Sequence, residues 1–340
     1  MIEHLKSGIS ISTHLGCGLK CSYCVLATLE RFNEGAILQI KPKKLVDELL
    51  NNKYYEKNKT PIMINNRTDP FIKEVIPYTL EILDLLIEKD IKSPILIISK
   101  FAPPVELKKY FDYLDICFFY SYSGIDSDFN YKKVFDDLKE INKIVPKKSR
   151  YHYFRPIIPG VNDNLEFMKK IINIFVENNF ESSVIAGFRV TNLNKHLIKE
   201  KSIDLEKIDY SHKLVNNNIY EINKWFFKSN YYIFRHTSCA LAYHTKSFNK
   251  LNYYKKEGHC FSSCPNNSIC SKKKININEI FKELKKRFKD KYDLDYDNDS
   301  IIIKSECSQE LVAYIKNAFG CKVNATSVKL SKSEEVILGE

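Results

Sequence analysis

The stretch Gly8-Ile-Ser-Ile-Ser-Thr13, followed by Cys17-Gly-Leu-Lys-Cys21-Ser-Tyr-Cys24, decides how this chain is read. Gly8–Thr13 predicts a short strand, and the cysteines follow it on a loop. Three thiolates within eight residues can converge on one inorganic centre. A structural zinc site is closed by four ligands. Three cysteines with no close fourth leave one position open, which suits a 4Fe–4S cluster with an exchangeable iron. A loop beyond a strand's C-terminal end is also where open or barrel α/β folds build active sites. A zinc knuckle is the alternative.

Outward from this loop, short β-branched and aromatic runs alternate with amphipathic stretches. Strands are expected at Gly8–Thr13, Pro61–Asn66, Pro94–Ser99, Asp115–Ser121, Tyr151–Ile157 and Val184–Val190. Helices are expected at Pro42–Asn51, Glu74–Lys89, Pro104–Tyr113, Tyr131–Ile144 and Asp163–Asn178; Pro42 and Asp163 are helix-start residues. Pro94–Ser99 and Asp115–Tyr120 are nearly continuous in apolar residues, as parallel strands covered on both faces should be. Repeated strand–helix alternation predicts a parallel α/β sheet. The six units are too few for an eight-unit barrel and point to a partial (βα)6 TIM-like barrel. After Asn192 the pattern is mostly helical over Ser202–Lys228, with a strand-like Tyr231–Arg235. A loop-rich, cysteine-bearing region spans Cys239–Cys270. The last part predicts a helix marked by Ile277, Ile280, Phe281, Leu284 and Phe288, then a strand Ser300–Lys304. A helix Gln309–Phe319 and a strand Lys322–Leu330 complete a small α+β tail. The expected organisation is barrel over 1–235, cysteine-rich region over 236–272 and α+β domain over 273–340.

Composition narrows the classes. The chain has 340 residues, 44% hydrophobic and 28% charged, so it can bury a core and is not disordered. Its 53 Lys and Arg against 42 Asp and Glu give a net charge of +11. That excess permits an anionic partner without requiring one. No apolar run approaches the roughly twenty residues that span a bilayer, and the first residues lack a signal peptide's apolar region. A cytoplasmic protein without membrane partners is expected. Ten cysteines in a reducing compartment point to metal binding or chemistry rather than disulfides.

The C-x3-C-x2-C spacing, with an aromatic before the last cysteine, resembles the signature of the radical S-adenosylmethionine (SAM) superfamily. The resemblance implies a 4Fe–4S cluster on Cys17, Cys21 and Cys24, with SAM chelating the fourth iron. A reduced cluster would split the sulfonium to a 5′-deoxyadenosyl radical that takes hydrogen from a substrate, and the backbone at Tyr23 would meet the adenine. Further along stand Asn65-Asn-Arg-Thr-Asp-Pro-Phe71, Ser99-Lys100, Tyr120-Ser-Tyr-Ser-Gly124 and Arg155-Pro-Ile-Ile-Pro-Gly-Val-Asn162. This series, over about residues 8–190, looks like the spore photoproduct lyase-like branch. Carried over, Thr68 and Lys100 would bind the methionyl part of SAM and Ser121 its ribose. A cation suits a carboxylate and a hydroxyl suits a diol. Singly, Thr68-Asp69-Pro70 also reads as a turn and Lys100 as a solvated strand end. Two positions depart from the lyase: Asn66 replaces the cysteine that returns hydrogen to the repaired product, and Val25 replaces a tyrosine.

A second set, Cys239, Cys260, Cys264 and Cys270, falls within thirty-two residues. It predicts an auxiliary 4Fe–4S cluster, with a structural zinc or plain buried thiols as alternatives. His236, His244 and His259 are possible substitute ligands, each more simply structural. Cys117 reads as core. Cys307 and Cys321 read as ordinary thiols, with a substrate-side hydrogen donor as the second reading. Asp69 and Arg155 face the expected rim as substrate contacts or a salt bridge, and Tyr122 reads as substrate contact or packing. Lys272–Lys291 carries nine Lys or Arg against three acids. This run is read as a solvated helix face, with an anion-binding role second.

The expected activity is radical SAM hydrogen abstraction from a peptide or small metabolite, fed by a one-electron reductant such as flavodoxin or ferredoxin. A nucleotide or nucleic-acid substrate is the second reading. A non-enzymatic, zinc-stabilised nucleic-acid-binding module is the third.

Overall fold

The computed structural model describes residues 1–24, 26, 34–125, 131–188, 218–227, 229–248, 263–271 and 275–329. Eight strands form one sheet in chain order: β1 (Ile2–Leu5), β2 (Gly8–Ile11), β3 (Ile62–Ile64), β4 (Ile95–Ser99), β5 (Ile116–Ser121), β6 (Arg150–Ile157), β7 (Ser182–Gly187) and β8 (Tyr232–Phe234). β1 is antiparallel to β2, and every later pairing is parallel. All six expected strands are present. The short run at 232–234 adds a seventh parallel strand, and Ile2–Leu5 adds an edge that the alternation does not announce. Among the described residues the sheet does not close, because β1 and β8 pair on one side only.

Parallel strands need crossovers, and these are α1 (Pro42–Leu50), α2 (Ile76–Glu88), a 3₁₀ turn Val105–Asp112, α3 (Tyr131–Ile144), α4 (Leu165–Glu177) and α5 (Asn218–Phe227). Pro42 opens α1 and the Asn164 side chain caps α4 by accepting from the Glu166 and Phe167 amides. Their apolar stripes bury Leu45, Leu83, Leu138, Ile171 and Ile222 against one sheet face, where Ile9, Ile97, Phe118 and Phe154 point. Period-two alternation turns the intervening residues to the concave face. There Met63, Leu96, Cys117, Phe119, Tyr151 and Val184 meet α6 (Thr237–His244) through Cys239, Ala240 and Leu241. Thus a helix stands where the sequence predicts cysteine-bearing loop. It plugs the half of the concave face nearest the strands' N-terminal ends.

His244 latches this plug. Its Nε2 lies 2.7 Å from Asp115 Oδ1, and its Nδ1 lies 3.1 Å from both Tyr151 Oη and the Lys148 carbonyl. The tail is α7 (Ile277–Phe288), β9 (Leu294–Tyr296), β10 (Ser300–Ser308), α8 (Gln309–Phe319) and β11 (Lys322–Lys329), with the three strands in one sheet. Its core of Leu284, Ile301, Leu311 and Ile315 also buries Cys307 and Cys321, which excludes these thiols from the strand-end rim. Arg287 leaves the exposed basic face of α7 to donate to the Lys53 and Tyr55 carbonyls. Its guanidinium also lies 2.5 Å from Glu56. No helix among the described residues is long and apolar enough to cross a membrane.

Candidate functional site

The C-terminal ends of β2, β3, β4 and β5 supply the site. After β2 the chain runs through a two-residue ribbon, His14–Leu15 with Ile37–Leu38, into the cysteine loop. That loop is zipped to the loop following β3. Thr13 N–H donates to Asn65 Oδ1 (2.9 Å), Gly16 N–H to the Arg67 carbonyl (3.1 Å), and the amides of Leu19 and Asp69 hydrogen-bond the Cys17 sulfur. Asn65 holds the bend by donating to Thr79 Oγ1 (2.8 Å). Arg67 is anchored to Glu3 across β1.

Asp69 joins the next strand end. Its Oδ1 accepts from Ser99 Oγ (2.7 Å) and Phe71 N–H (3.0 Å), and its Oδ2 accepts from Lys100 N–H (2.7 Å). Burial raises its carboxyl pKa against the pull of those bonds. With its backbone so fixed, Lys100 sends Nζ to Tyr23 Oη at 2.5 Å, although its side chain is 9% exposed overall. Tyr23 packs on Ile158 and Phe188, with Cys21 against the same group. The cysteine loop is therefore seated over the ends of β6 and β7.

Of the residues singled out in the sequence, Cys17 is buried and its thiol is pushed up, chiefly by burial, while the two amides oppose that shift. Cys21 and Cys24 are half-buried, with Cys24 N–H donating to the Cys21 carbonyl at 3.0 Å. Among the described residues no three His, Cys, Asp or Glu side chains are gathered as a ready metal-holding group. The three thiols share one loop rather than a finished cage. Thr68 Oγ1 is buried with no hydrogen-bond partner among the described residues. Ser121 ends β5 half-buried, opposite Tyr153. Tyr122 packs among the covering helices, on Phe175, and so faces away from the concave side.

Of the second set, Cys239 lies in the first turn of α6 and packs with Cys264 in the concave apolar group. Asn266 Nδ2 ties the two by donating to the Cys239 carbonyl at 2.8 Å. Cys270 is half-buried in a short helix at 267–271. Cys260, His259 and Lys272–Lys274 lie outside the described residues.

Two positioning groups are not among the sequence-derived site residues. Asn162 donates to the Ser123 (2.9 Å) and Pro156 (3.0 Å) carbonyls and accepts from Ile158 N–H (2.6 Å), binding the exit of β5 to the exit of β6. His152 is fully buried; its Nε2 lies 2.8 Å from the Tyr122 carbonyl and its Nδ1 2.8 Å from Ser183 Oγ, which meets Tyr231 Oη at 2.8 Å. The Pro-Gly-Val-Asn162 run marks the first as a turn. Nothing in the sequence marks the second, because β6 turns His152 away from the site. At Gly124, with φ +71°, a Cβ would come within 2.7 Å of the Phe167 ring, so the β5 exit favours glycine.

No protein-family model matches the chain, and no curated protein matches it in sequence. Solved structures match it in fold. A spore photoproduct lyase variant with bound AdoMet and dinucleoside spore photoproduct is similar over 68% of this chain and 78% of its own, at 11% identity and a TM-score of 0.52. Another variant of that lyase covers the same shares at 12% identity and a TM-score of 0.51. The likeness is one of fold: both chains curve a parallel sheet into part of a barrel.

Proposed function

We propose that this chain is a radical SAM enzyme that abstracts hydrogen from a peptide or small metabolite. One observation carries the reading. A buried hydroxyl without a partner, Thr68 Oγ1, and a desolvated ammonium, Lys100 Nζ, stand on successive strand ends beside the three-cysteine loop. A buried polar atom left unpaired is costly, and a SAM methionyl group offers the partner it lacks. The donor set also fits a 4Fe–4S cluster, since Cys17, Cys21 and Cys24 are three soft ligands on one loop with no fourth.

Cys17, Cys21 and Cys24 would hold the cluster, which would supply one-electron reductive cleavage of SAM. The chain's own residues place and shield that chemistry. Amides on the Cys17 sulfur favour its thiolate. Lys100, steadied by Tyr23 Oη, pairs with the methionyl carboxylate. Ser121 bonds the ribose, and the Tyr23 backbone lines the adenine. The α6 plug keeps water from the far end of the concave face.

Cys239, Cys264 and Cys270, with Cys260, are proposed as ligands of a second 4Fe–4S cluster. A flavodoxin or ferredoxin is the proposed source of the reducing electron. Anaerobically reconstituted protein given dithionite and SAM is expected to release 5′-deoxyadenosine, and Cys17→Ser to release none. Iron near four atoms per chain would indicate one cluster and about eight would indicate two. Zinc alone with no 5′-deoxyadenosine would overturn the proposal.

A further inference from the structure

Arg155 stands two residues beyond Tyr153 on β6. Tyr153 pairs with Ser121 and packs on Phe119 of the concave face, with ring centroids 5.9 Å apart. The register of β6 on β7 shifts between Phe154 and Ile157. Even so, the guanidinium stays on the concave side, with its carbon 4.7 Å over the Tyr153 ring and Nη1 on Tyr153 Oη. The side chain is half-buried and so remains open to a ligand. Among the described residues its polar contacts are confined to that one tyrosine.

The carboxylates described around this edge are committed elsewhere. Asp69 has both oxygens engaged, Glu3 holds Arg67, and Asp163 Oδ1 accepts from Gly160 N–H at 2.8 Å. A planar guanidinium stacked on a ring keeps its remaining donors aimed in a fork, the geometry that matches carboxylate or phosphate. Asn162 fixes this arm by bonding the Pro156 carbonyl directly after it. Placement over the Tyr153 ring and the lack of a counter-charge among the described residues point to a bound anion.

We infer that Arg155 receives an oxyanion group of the substrate, a carboxylate or a phosphate, on the strand next to the one that carries Ser121. The inference rests on the SAM reading, which assigns the cofactor's carboxylate to Lys100 and leaves Arg155 for a second anion. The substrate is then an anionic molecule, such as a peptide with an acidic side chain or terminus, or a phosphorylated metabolite.

The test uses the reconstituted full chain, with and without SAM. Inorganic phosphate and acetate are each compared with chloride at equal ionic strength, and Tm and SAM affinity are read. In the wild type, phosphate or acetate is expected to raise Tm. R155Q should abolish the rise while keeping SAM affinity within about twofold, and R155K, losing the fork, should bind the anion about tenfold more weakly. A response to phosphate alone identifies a phosphorylated substrate, and one to acetate alone a carboxylate. No anion response in the wild type, an equal response in R155Q, or a SAM affinity about tenfold weaker in R155Q overturns the inference. A wild type that answers the anions but binds no SAM sinks the cofactor reading instead. R155K, which keeps the charge, serves if R155Q does not fold.

Discussion

Thr68 is the residue at which stability and the proposed function separate. Its buried hydroxyl has no partner among the described residues, so replacing it by the near-isosteric valine removes an unsatisfied group. Thr68→Val should leave urea stability equal or slightly higher, yet weaken SAM binding by about tenfold, worth about 1.4 kcal/mol. A titration calorimeter and a denaturation curve check the two halves, and loss of stability with full SAM affinity would make Thr68 a structural residue. Lys100 was legible in the sequence as a strand-end cation. Its lock onto Tyr23 Oη was not, because that contact spans seventy-seven positions and depends on how one loop folds over another.

Among elements, β5 to β8 are tied together on the sheet face that points away from the site. The line from Tyr231 through Ser183 and His152 to the Tyr122 carbonyl crosses from the start of β8 to the exit of β5. Burial drives the His152 pKa down to about 3. The unfolded chain takes up that proton near the ordinary value of about 6.5 while the folded chain does not. This contribution therefore costs stability as pH falls below about 6.5, by about 1.4 kcal/mol per unit, and costs nothing more below the folded pKa. Between pH 7 and 5, His152→Gln should flatten the stability curve by about 2 kcal/mol relative to the wild type, measured by urea unfolding. An unchanged slope would contradict the buried neutral imidazole. The α6 plug is latched by His244, and His244→Ala should cost about 1–3 kcal/mol and speed amide exchange across 237–244. The parallel strands were readable from their apolar runs. This helix was not, since its residues bury on nearly every side and give no amphipathic stripe.

At the scale of the molecule, the tail is docked through polar contacts. Arg287 reaches the segment after α1, Tyr54 Oη meets Tyr292 Oη at 2.8 Å, and Asn317 Nδ2 bonds the Leu5 carbonyl at 2.8 Å. Arg287→Ala should speed proteolytic release of the tail while leaving SAM cleavage unchanged, because these contacts lie away from the strand-end site. Loss of SAM cleavage in that variant would tie the tail to the chemistry. The helix and strand patterns after Ile275 led to the expectation of a small α+β tail. They could not show the docking, which depends on isolated long-range pairs rather than on any periodicity.

Cys17, Cys21 and Cys24 are proposed to hold a cluster whose open iron takes SAM. The most direct measurement is electron paramagnetic resonance of the reduced, anaerobically reconstituted protein, before and after SAM is added. The wild type should show a 4Fe–4S signal that SAM perturbs, and the variant with all three cysteines changed to alanine should lose that response. A wild-type signal indifferent to SAM, or a SAM-sensitive signal that survives loss of the three cysteines, would contradict this proposal.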